Sequence, residues 1–216
     1  MNNKIKIDIV SDVVCPWCII GYKHLEQAID ELDLTGKVDI EWQPFELNPD
    51  MPAEGENLKV HSARKYGTTP EGSIKARLNI TEQAKKAGFA FSYYDEMKMV
   101  NTRNIHVLLE YAKEQGKQHA LKLSLFKAFF SDQRDISDPN ILASLLEEVG
   151  LDVDQSLAQL DDPNAIQQVI NTESMWQELG ITSVPTMVFN RSSAVSGAHP
   201  VDTFKQILTE LVEQQE

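Results

Sequence analysis

Cys15-Pro16-Trp17-Cys18 contains both cysteines of this chain and lies between a predicted strand and a predicted helix. Residues 5–10, Ile-Lys-Ile-Asp-Ile-Val, mostly alternate apolar and polar side chains, which predicts a β-strand. Apolar residues then recur at helical spacing between residues 19 and 32, so a helix is predicted to begin at the cysteine pair. Pro16 suits the first position of this helix, because the amide hydrogen that proline lacks would have no partner there.

The start of a helix is a favourable place for a reactive thiol. Its unpaired N–H groups and its dipole favour negative charge, and the thiolate is the nucleophile of disulfide chemistry. We therefore predict that Cys15, at the edge of the helix, is the exposed and attacking thiol. Cys18 lies one turn further in, and it would resolve a mixed disulfide by attacking Cys15, so that the pair cycles between dithiol and disulfide.

Three other interpretations of the pair are half of a zinc site, a structural disulfide, and two unrelated buried cysteines. A structural zinc ion usually needs four ligands, and the five histidines are scattered without forming a second ligand pair. A disulfide that closes so short a loop would stabilise the fold only weakly. A C-x-x-C motif between a strand and a helix is instead typical of redox proteins, so we predict catalytic thiols and no metal.

The composition is that of an ordinary globular protein. The 216 residues carry a formal net charge of −13, which argues against binding to nucleic acid or to anionic membranes. No apolar run approaches the length of a membrane span. The first four residues lead directly into the predicted strand and leave no room for a signal peptide, so we expect a cytoplasmic location. A lone C-x-x-C pair in the reducing cytosol is more often catalytic than structural.

Strand signals occur towards both ends of the chain, and helix signals dominate the middle. Residues 38–43 alternate apolar and polar side chains, which completes a strand–helix–strand unit with parallel strands. After residue 161 the pattern indicates a helix, two strands and a final helix. The sequence therefore predicts an α/β domain made of residues 1–47 and 161–216, interrupted by an all-helical insertion of residues 48–160.

Four motifs spread along the chain together resemble the FrnE-like branch of the DsbA family. They are Asp-Val-Val-Cys-Pro-Trp-Cys at residues 12–18, Asn-Thr-Arg at 101–103, Ser-Val-Pro-Thr at 183–186 and Val-Ser-Gly-Ala at 195–198. The resemblance covers essentially the whole chain. It implies a thioredoxin fold, βαβ…αββα, with a helical insertion that covers the active site, and thiol–disulfide exchange that needs no bound cofactor.

The resemblance also implies roles for residues around the cysteines. Pro185 would be cis and pack beside Cys15, and Val184 would offer backbone groups to an extended substrate and help to tune the redox potential. Pro16 and Trp17, which lie between the cysteines, would contact substrate. DsbA proper is periplasmic and has a histidine inside the motif, where this chain has Trp17.

Other polar residues carry weaker signals. Asp12 precedes Cys15 by three residues and is either a proton acceptor that adjusts the acidity of the thiols or a turn-forming acid; both interpretations stay open. For His24 we expect a structural position, because the sequence suggests no partner for it. His106 would face either the active-site cleft or solvent, and a helix cap explains Asn101.

We predict a cytoplasmic protein thiol–disulfide oxidoreductase or isomerase that acts on a thiol- or disulfide-containing protein or on glutathione. Related families, the hydroxychromene-carboxylate isomerases and kappa-class glutathione transferases, have serine where Cys15 stands. A glutathione-dependent isomerase or transferase of a small aromatic or polyketide-like compound is therefore the second hypothesis. The third is a non-catalytic, chaperone-like binding module. Amphipathic helices of the insertion could supply the face of a homodimer.

Overall fold

A computed structural model of the protein describes residues 4–214. Strands and helices alternate at the two ends, and helices dominate the middle of the described chain. The strands are β1 (Ile5–Ser11), β2 (Val38–Pro44), β3 (Glu56–Asn57), β4 (Lys98–Met99), β5 (Thr186–Phe189) and β6 (Ser193–Ser196). The α-helices are α1 (Pro16–Glu31), α2 (Leu58–Tyr66), α3 (Pro70–Lys86), α4 (Arg103–Glu114), α5 (Gln118–Phe130), α6 (Pro139–Glu148), α7 (Val153–Ala158), α8 (Pro163–Glu178) and α9 (Val201–Glu213).

The central sheet has four strands in the order β2-β1-β5-β6. β1 pairs in parallel with β2, and α1 connects the two, so the predicted strand–helix–strand unit is confirmed. β5 pairs antiparallel with β1 and places Met187 opposite Ile9, both of them fully buried. Because β1 is central, its carboxyl end delivers the cysteine motif to the middle of the molecule.

The insertion between β2 and α8 is helical, as predicted, with one addition. β3 and β4 form a two-residue antiparallel pair, Glu56 opposite Met99 and Asn57 opposite Lys98, that the sequence analysis did not predict. A pair this short has no alternating pattern long enough to be recognised. α2 ends at Gly67, which adopts a left-handed conformation at φ 63°.

One hydrophobic core runs through the sheet domain and the insertion. It joins Ile9 of β1 and Leu25 of α1 to Leu108 of α4 and Phe126 of α5, and reaches Phe204 of α9. The division into residues 1–47 with 161–216 and residues 48–160 stays a prediction, and its ends at 1–3 and 215–216 lie outside the described residues. Within residues 4–214, no helix has the length and apolar character needed to cross a membrane.

Candidate active site

The cysteine pair lies at the junction of β1 and α1, as predicted. Cys15 is the N-cap of α1 (φ −90°, ψ 111°), and Pro16 occupies the first turn. The Cys15 amide donates to the Asp12 carbonyl at 3.2 Å, and the Cys18 amide donates to the Cys15 carbonyl at 3.1 Å. Both thiols are free. The short turn therefore holds the two thiols at the start of the helix, where a thiolate is favoured.

The predicted exposure of Cys15 is wrong. Only 4% of this residue is exposed, and Cys18 is fully buried, whereas Trp17 between them is 37% exposed. The Cys15 thiol is covered by the loop before β5, where the Val184 carbonyl oxygen lies 3.9 Å from Sγ. Residues of the insertion cover the other side, so a substrate must reach Cys15 through a cavity rather than across an open surface.

The loop before β5 packs directly on α1. The Val184–Pro185 peptide bond is cis, as the resemblance implied. A Cβ atom on Gly21 of α1 would come within 3.2 Å of both the Pro185 ring and the Ala198 Cα atom. The absence of a side chain at Gly21 therefore permits the close approach that brings Val184 and Pro185 to the cysteines.

Asp12 is buried beneath the cysteine motif rather than on a surface turn. One of its carboxylate oxygens accepts a hydrogen bond from the Leu47 amide at 2.8 Å, and the other lies 3.5 Å from Nε2 of His106. Burial opposes ionisation of Asp12, but His106, the Leu47 amide and the Lys122 ammonium outweigh it and lower the pKa of the carboxyl. His106 thus faces the buried side of the site and not solvent.

Lys122 of α5 is a functional candidate that the sequence analysis missed. The side chain is fully buried, and its Nζ donates to the Ser11 carbonyl at a long 3.4 Å. Nζ also lies 5.3 Å from the ring centroids of Trp42 and Phe126. Burial lowers the pKa of Lys122 to about 8, although the negative charge of Cys18 and of Asp12 opposes this shift.

Cys18 shares this buried layer. Burial and the neighbouring Cys15 raise the pKa of the Cys18 thiol well above its ordinary value, while Lys122 acts in the opposite direction. The Asp12 backbone also acts to lower the pKa of Cys18, and Lys122 donates to the adjacent Ser11 carbonyl. Cys18, a thiol that resists deprotonation, therefore shares its buried surroundings with a lysine that releases its proton easily.

A cavity of about 400 Å³ opens beside Cys15. Pro16, Trp17 and Val184 line it together with Cys15, so four of the predicted site residues meet at one place. The remaining predicted residues, Cys18, Asp12 and Pro185, are not among its lining residues. Most of the opposite wall is apolar and comes from the insertion, with Leu58, Ile80, Met97, Met99, Phe129 and Phe130.

His24 and Asn101 have the structural roles that the sequence favoured. Nδ1 of His24 lies 2.8 Å from the His199 carbonyl oxygen, and this bond joins α1 to the loop before α9. The Asn101 side chain accepts from the Arg103 amide at 3.0 Å and donates to the Met51 carbonyl at 3.0 Å, so it satisfies the first amide of α4 and anchors a loop, while Thr102 is the N-cap residue. Neither His24 nor Asn101 is among the residues that line the cavity.

A buried acidic pair lies behind the site. Glu46 forms an ion pair with Arg103 at 2.8 Å, and each of Glu46 and Glu173 has one carboxylate oxygen without a hydrogen-bond partner among the described residues. Burial and then the Glu46 charge raise the pKa of Glu173 to about 8. Folding therefore favours the protonated form of Glu173.

We expect the stability of the protein to fall as pH rises because of Glu173. Its pKa is about 8 when folded and 4.5 ordinarily, so its contribution is complete below pH 4.5 and is lost towards pH 8. Glu173→Gln should remove this loss and raise the free energy of unfolding at pH 8 by about 1 kcal/mol, after allowance for solvent screening. Urea unfolding between pH 5 and 8 measures the effect. Glu178→Gln, an exposed change on the same helix, is the control; identical pH profiles for both variants would contradict the prediction.

Comparison with known proteins identifies the family. Residues 6–209 match the family model described as a DSBA-like thioredoxin domain. The chain belongs to this family. It is similar to the solved structure of the "probable DsbA oxidoreductase SCO1869" of Streptomyces coelicolor, with 32% identity and a TM-score of 0.89 over 95% of this chain and 89% of that one. The predicted DsbA-like thioredoxin fold and family membership are confirmed.

Two further similarities bear on the DsbA-like chain. YwbO, an uncharacterized protein of Bacillus subtilis, is 28% identical over 209 residues, which cover 95% of this chain and 96% of YwbO. The cytosolic disulfide reductase DsbM of Pseudomonas aeruginosa, solved with GSH, has 16% identity and a TM-score of 0.66 over 96% of this chain and 99% of that one. At this identity the likeness to DsbM establishes the fold alone.

Proposed function

We propose that this DsbA-like protein is a cytoplasmic thiol–disulfide oxidoreductase or isomerase of the FrnE-like branch, with Cys15 and Cys18 as its redox pair. The observation that carries the proposal is the placement of two free thiols at the start of α1, with the Val184 carbonyl 3.9 Å from the Cys15 sulfur. A structural pair would not need Cys15 to line a cavity. The cytoplasmic location accords with a lone C-x-x-C pair in a catalytic role.

The proposed reaction begins with Cys15. Its thiolate attacks a substrate disulfide, forms a mixed disulfide and releases one substrate thiolate. Cys18 then attacks the sulfur of Cys15, which forms the Cys15–Cys18 disulfide and releases the second substrate thiolate. The proton that leaves Cys18 passes to Lys122 in its neutral amine form, which is a minor form at pH 7 but is available because the pKa of Lys122 is about 8. The reverse sequence oxidises a substrate dithiol.

The proposed partners are thiol- or disulfide-containing proteins and glutathione. The exchange itself needs no bound cofactor, because the electrons move between sulfur atoms of the protein and the substrate. The likeness to DsbM, whose structure was solved with GSH, supports glutathione as a redox partner. A homodimer also stays a prediction; it is supported by four apolar side chains of α2 and α3 that are at least half exposed, Val60, Tyr66, Ile74 and Leu78.

The reduction potential of the Cys15–Cys18 pair tests the proposed function. Trp17 lies between the cysteines, so its fluorescence should follow equilibration in glutathione or dithiothreitol buffers. We expect one reversible two-electron transition. A potential of about −120 to −180 mV would indicate an oxidase or isomerase, and about −270 mV would indicate a reductase. The absence of any such transition would refute the redox function.

A glutathione-dependent isomerase or transferase is the second candidate, and the apolar cavity beside Cys15 is the observation that favours it. Such an enzyme would bind glutathione non-covalently and would not need a disulfide. A Cys15→Ser, Cys18→Ser double variant separates the two functions. Retained binding of glutathione and retained conversion of a small aromatic substrate by this variant would favour the second candidate.

A further inference from the structure

The cavity beside Cys15 has the size of a small-molecule site. Its volume of about 400 Å³ lies in the range typical of ligand pockets, and its walls are mostly apolar. Several polar side chains of the insertion interrupt the apolar wall, among them the two nitrogen bases His61 of α2 and Arg77 of α3. Neither is needed for disulfide exchange as proposed above. Their surroundings indicate what chemical group the cavity accommodates.

His61 presents an unsatisfied nitrogen. The residue is 1% exposed, and its Nδ1 lies 3.0 Å from the Glu56 carboxylate. Arg64 and then His61 lower the pKa of Glu56 to about 2, so this carboxylate is ionised and only accepts hydrogen bonds. The proton is therefore assigned to Nδ1. Nε2 is buried without a hydrogen-bond partner among the described residues, a costly state that a polar ligand group would relieve.

Arg77 presents an unpaired positive charge. Its guanidinium donates to the Ser73 hydroxyl at 2.8 Å, but it forms no ion pair among residues 4–214. Asp95 is near enough to Arg77 for the two charges to attract each other, but its carboxylate is paired with Lys59 at 2.5 Å. No aspartate, glutamate or lysine is among the described residues that line the cavity. In a chain of net charge −13, this cavity wall thus carries a lone positive charge.

We propose that the cavity binds a small organic acid with an aromatic or other flat apolar body. Its carboxylate pairs with Arg77, a second polar group such as a hydroxyl bonds to Nε2 of His61, and the apolar body packs on residues such as Phe130. The bound acid would lie against Cys15. Glutathione has two carboxylates and an ammonium group but no apolar body, so the apolar walls would hold the second substrate of a glutathione-dependent enzyme rather than glutathione itself. The inference rests on the cavity and does not depend on the redox activity.

Calorimetric titration of the reduced, full-length protein with 2-naphthoate tests the charge requirement. We expect 2-naphthoate to bind at least about 10-fold more tightly than the neutral 2-naphthalenemethanol, as a charge-assisted bond to Arg77 requires. Arg77→Met should abolish this preference. Lys75→Met removes an exposed charge from the same helix and should preserve the preference. Equal affinity for both probes, or an unchanged preference in Arg77→Met, would overturn the proposal.

A second titration tests His61. 6-Hydroxy-2-naphthoate should bind more tightly than 2-naphthoate to the unaltered protein, and His61→Leu should remove this advantage while the carboxylate preference persists. A hydroxyl advantage that survives in His61→Leu would refute the role of His61. Repeating both titrations with Cys15→Ser measures binding to the cavity in the absence of the thiol that the redox reaction requires. A failed redox function with intact binding, or the reverse, therefore distinguishes this proposal from the proposed function.

Discussion

Replacing Cys15 with serine is expected to lower the rate of disulfide exchange by more than about 1,000-fold, because the attacking sulfur is lost. Replacing Cys18 with alanine should have a different result. The first attack by Cys15 continues, but the mixed disulfide is not resolved and accumulates. Alanine is chosen at this fully buried position because a serine hydroxyl without a partner would cost folding free energy.

Each of the two variants serves as the matched control for the other. Exchange is measured with oxidised glutathione and with a disulfide-containing peptide, and trapped adducts are identified by intact-protein mass. We expect glutathione or peptide adducts on Cys18→Ala and none on Cys15→Ser. Turnover that persists in Cys15→Ser would eliminate the assignment of Cys15 as nucleophile. Adducts on Cys15→Ser would instead exchange the roles of the two thiols.

The fold and the position of the cysteine pair were predictable because their signals are local. The strand pattern of residues 5–10, Pro16 at the first turn and Gly67 at the end of α2 each act within a few residues of the chain. The burial of Cys15 was not predictable in the same way. It depends on Val184, 169 residues away along the chain, and on walls supplied by the insertion. Helix position alone carries no information about what lies above the helix.

The buried polar layer shows a second limit. Lys122 lies on the same face of α5 as Leu125, Phe126 and Phe129, at spacings of three, four and seven residues, so its position on an apolar face was visible in the sequence. A lysine among apolar residues is usually a side chain that reaches solvent, and only the fold shows that its Nζ ends at Ser11 instead. His106 similarly contacts Asp12, which lies 94 positions earlier in the chain, and no local pattern records this juxtaposition.

Replacing Lys122 with methionine is expected to stabilise the protein while it impairs the redox reaction. A buried charge without a strong ion pair is costly, and a pKa of about 8 instead of 10.5 corresponds to about 3 kcal/mol of folding free energy at pH 7. Methionine fills a similar volume without a charge, so the free energy of unfolding should rise by about 1–3 kcal/mol. The folded protein loses this proton near pH 8, whereas the unfolded chain keeps it until about pH 10.5. The free energy of unfolding of the wild-type protein should therefore also rise between these two pH values, and this rise should vanish in Lys122→Met.

The same substitution should slow the resolving step, because Cys18 loses the amine that accepts its proton. We expect mixed disulfides to be resolved about 100-fold more slowly in Lys122→Met, with the first attack by Cys15 less affected. The Lys122 ammonium also favours thiolates in the reduced form, so its loss should shift the reduction potential by about −30 mV for each 1.4 kcal/mol of lost interaction.

Lys127→Met, an exposed change on α5, should alter neither the resolving rate nor the reduction potential. A purely structural lysine would change stability only, so an unchanged potential and resolving rate in Lys122→Met would contradict its role. A stabilised yet slower variant would show that the energetic cost of burying Lys122 is maintained for the chemistry of Cys18.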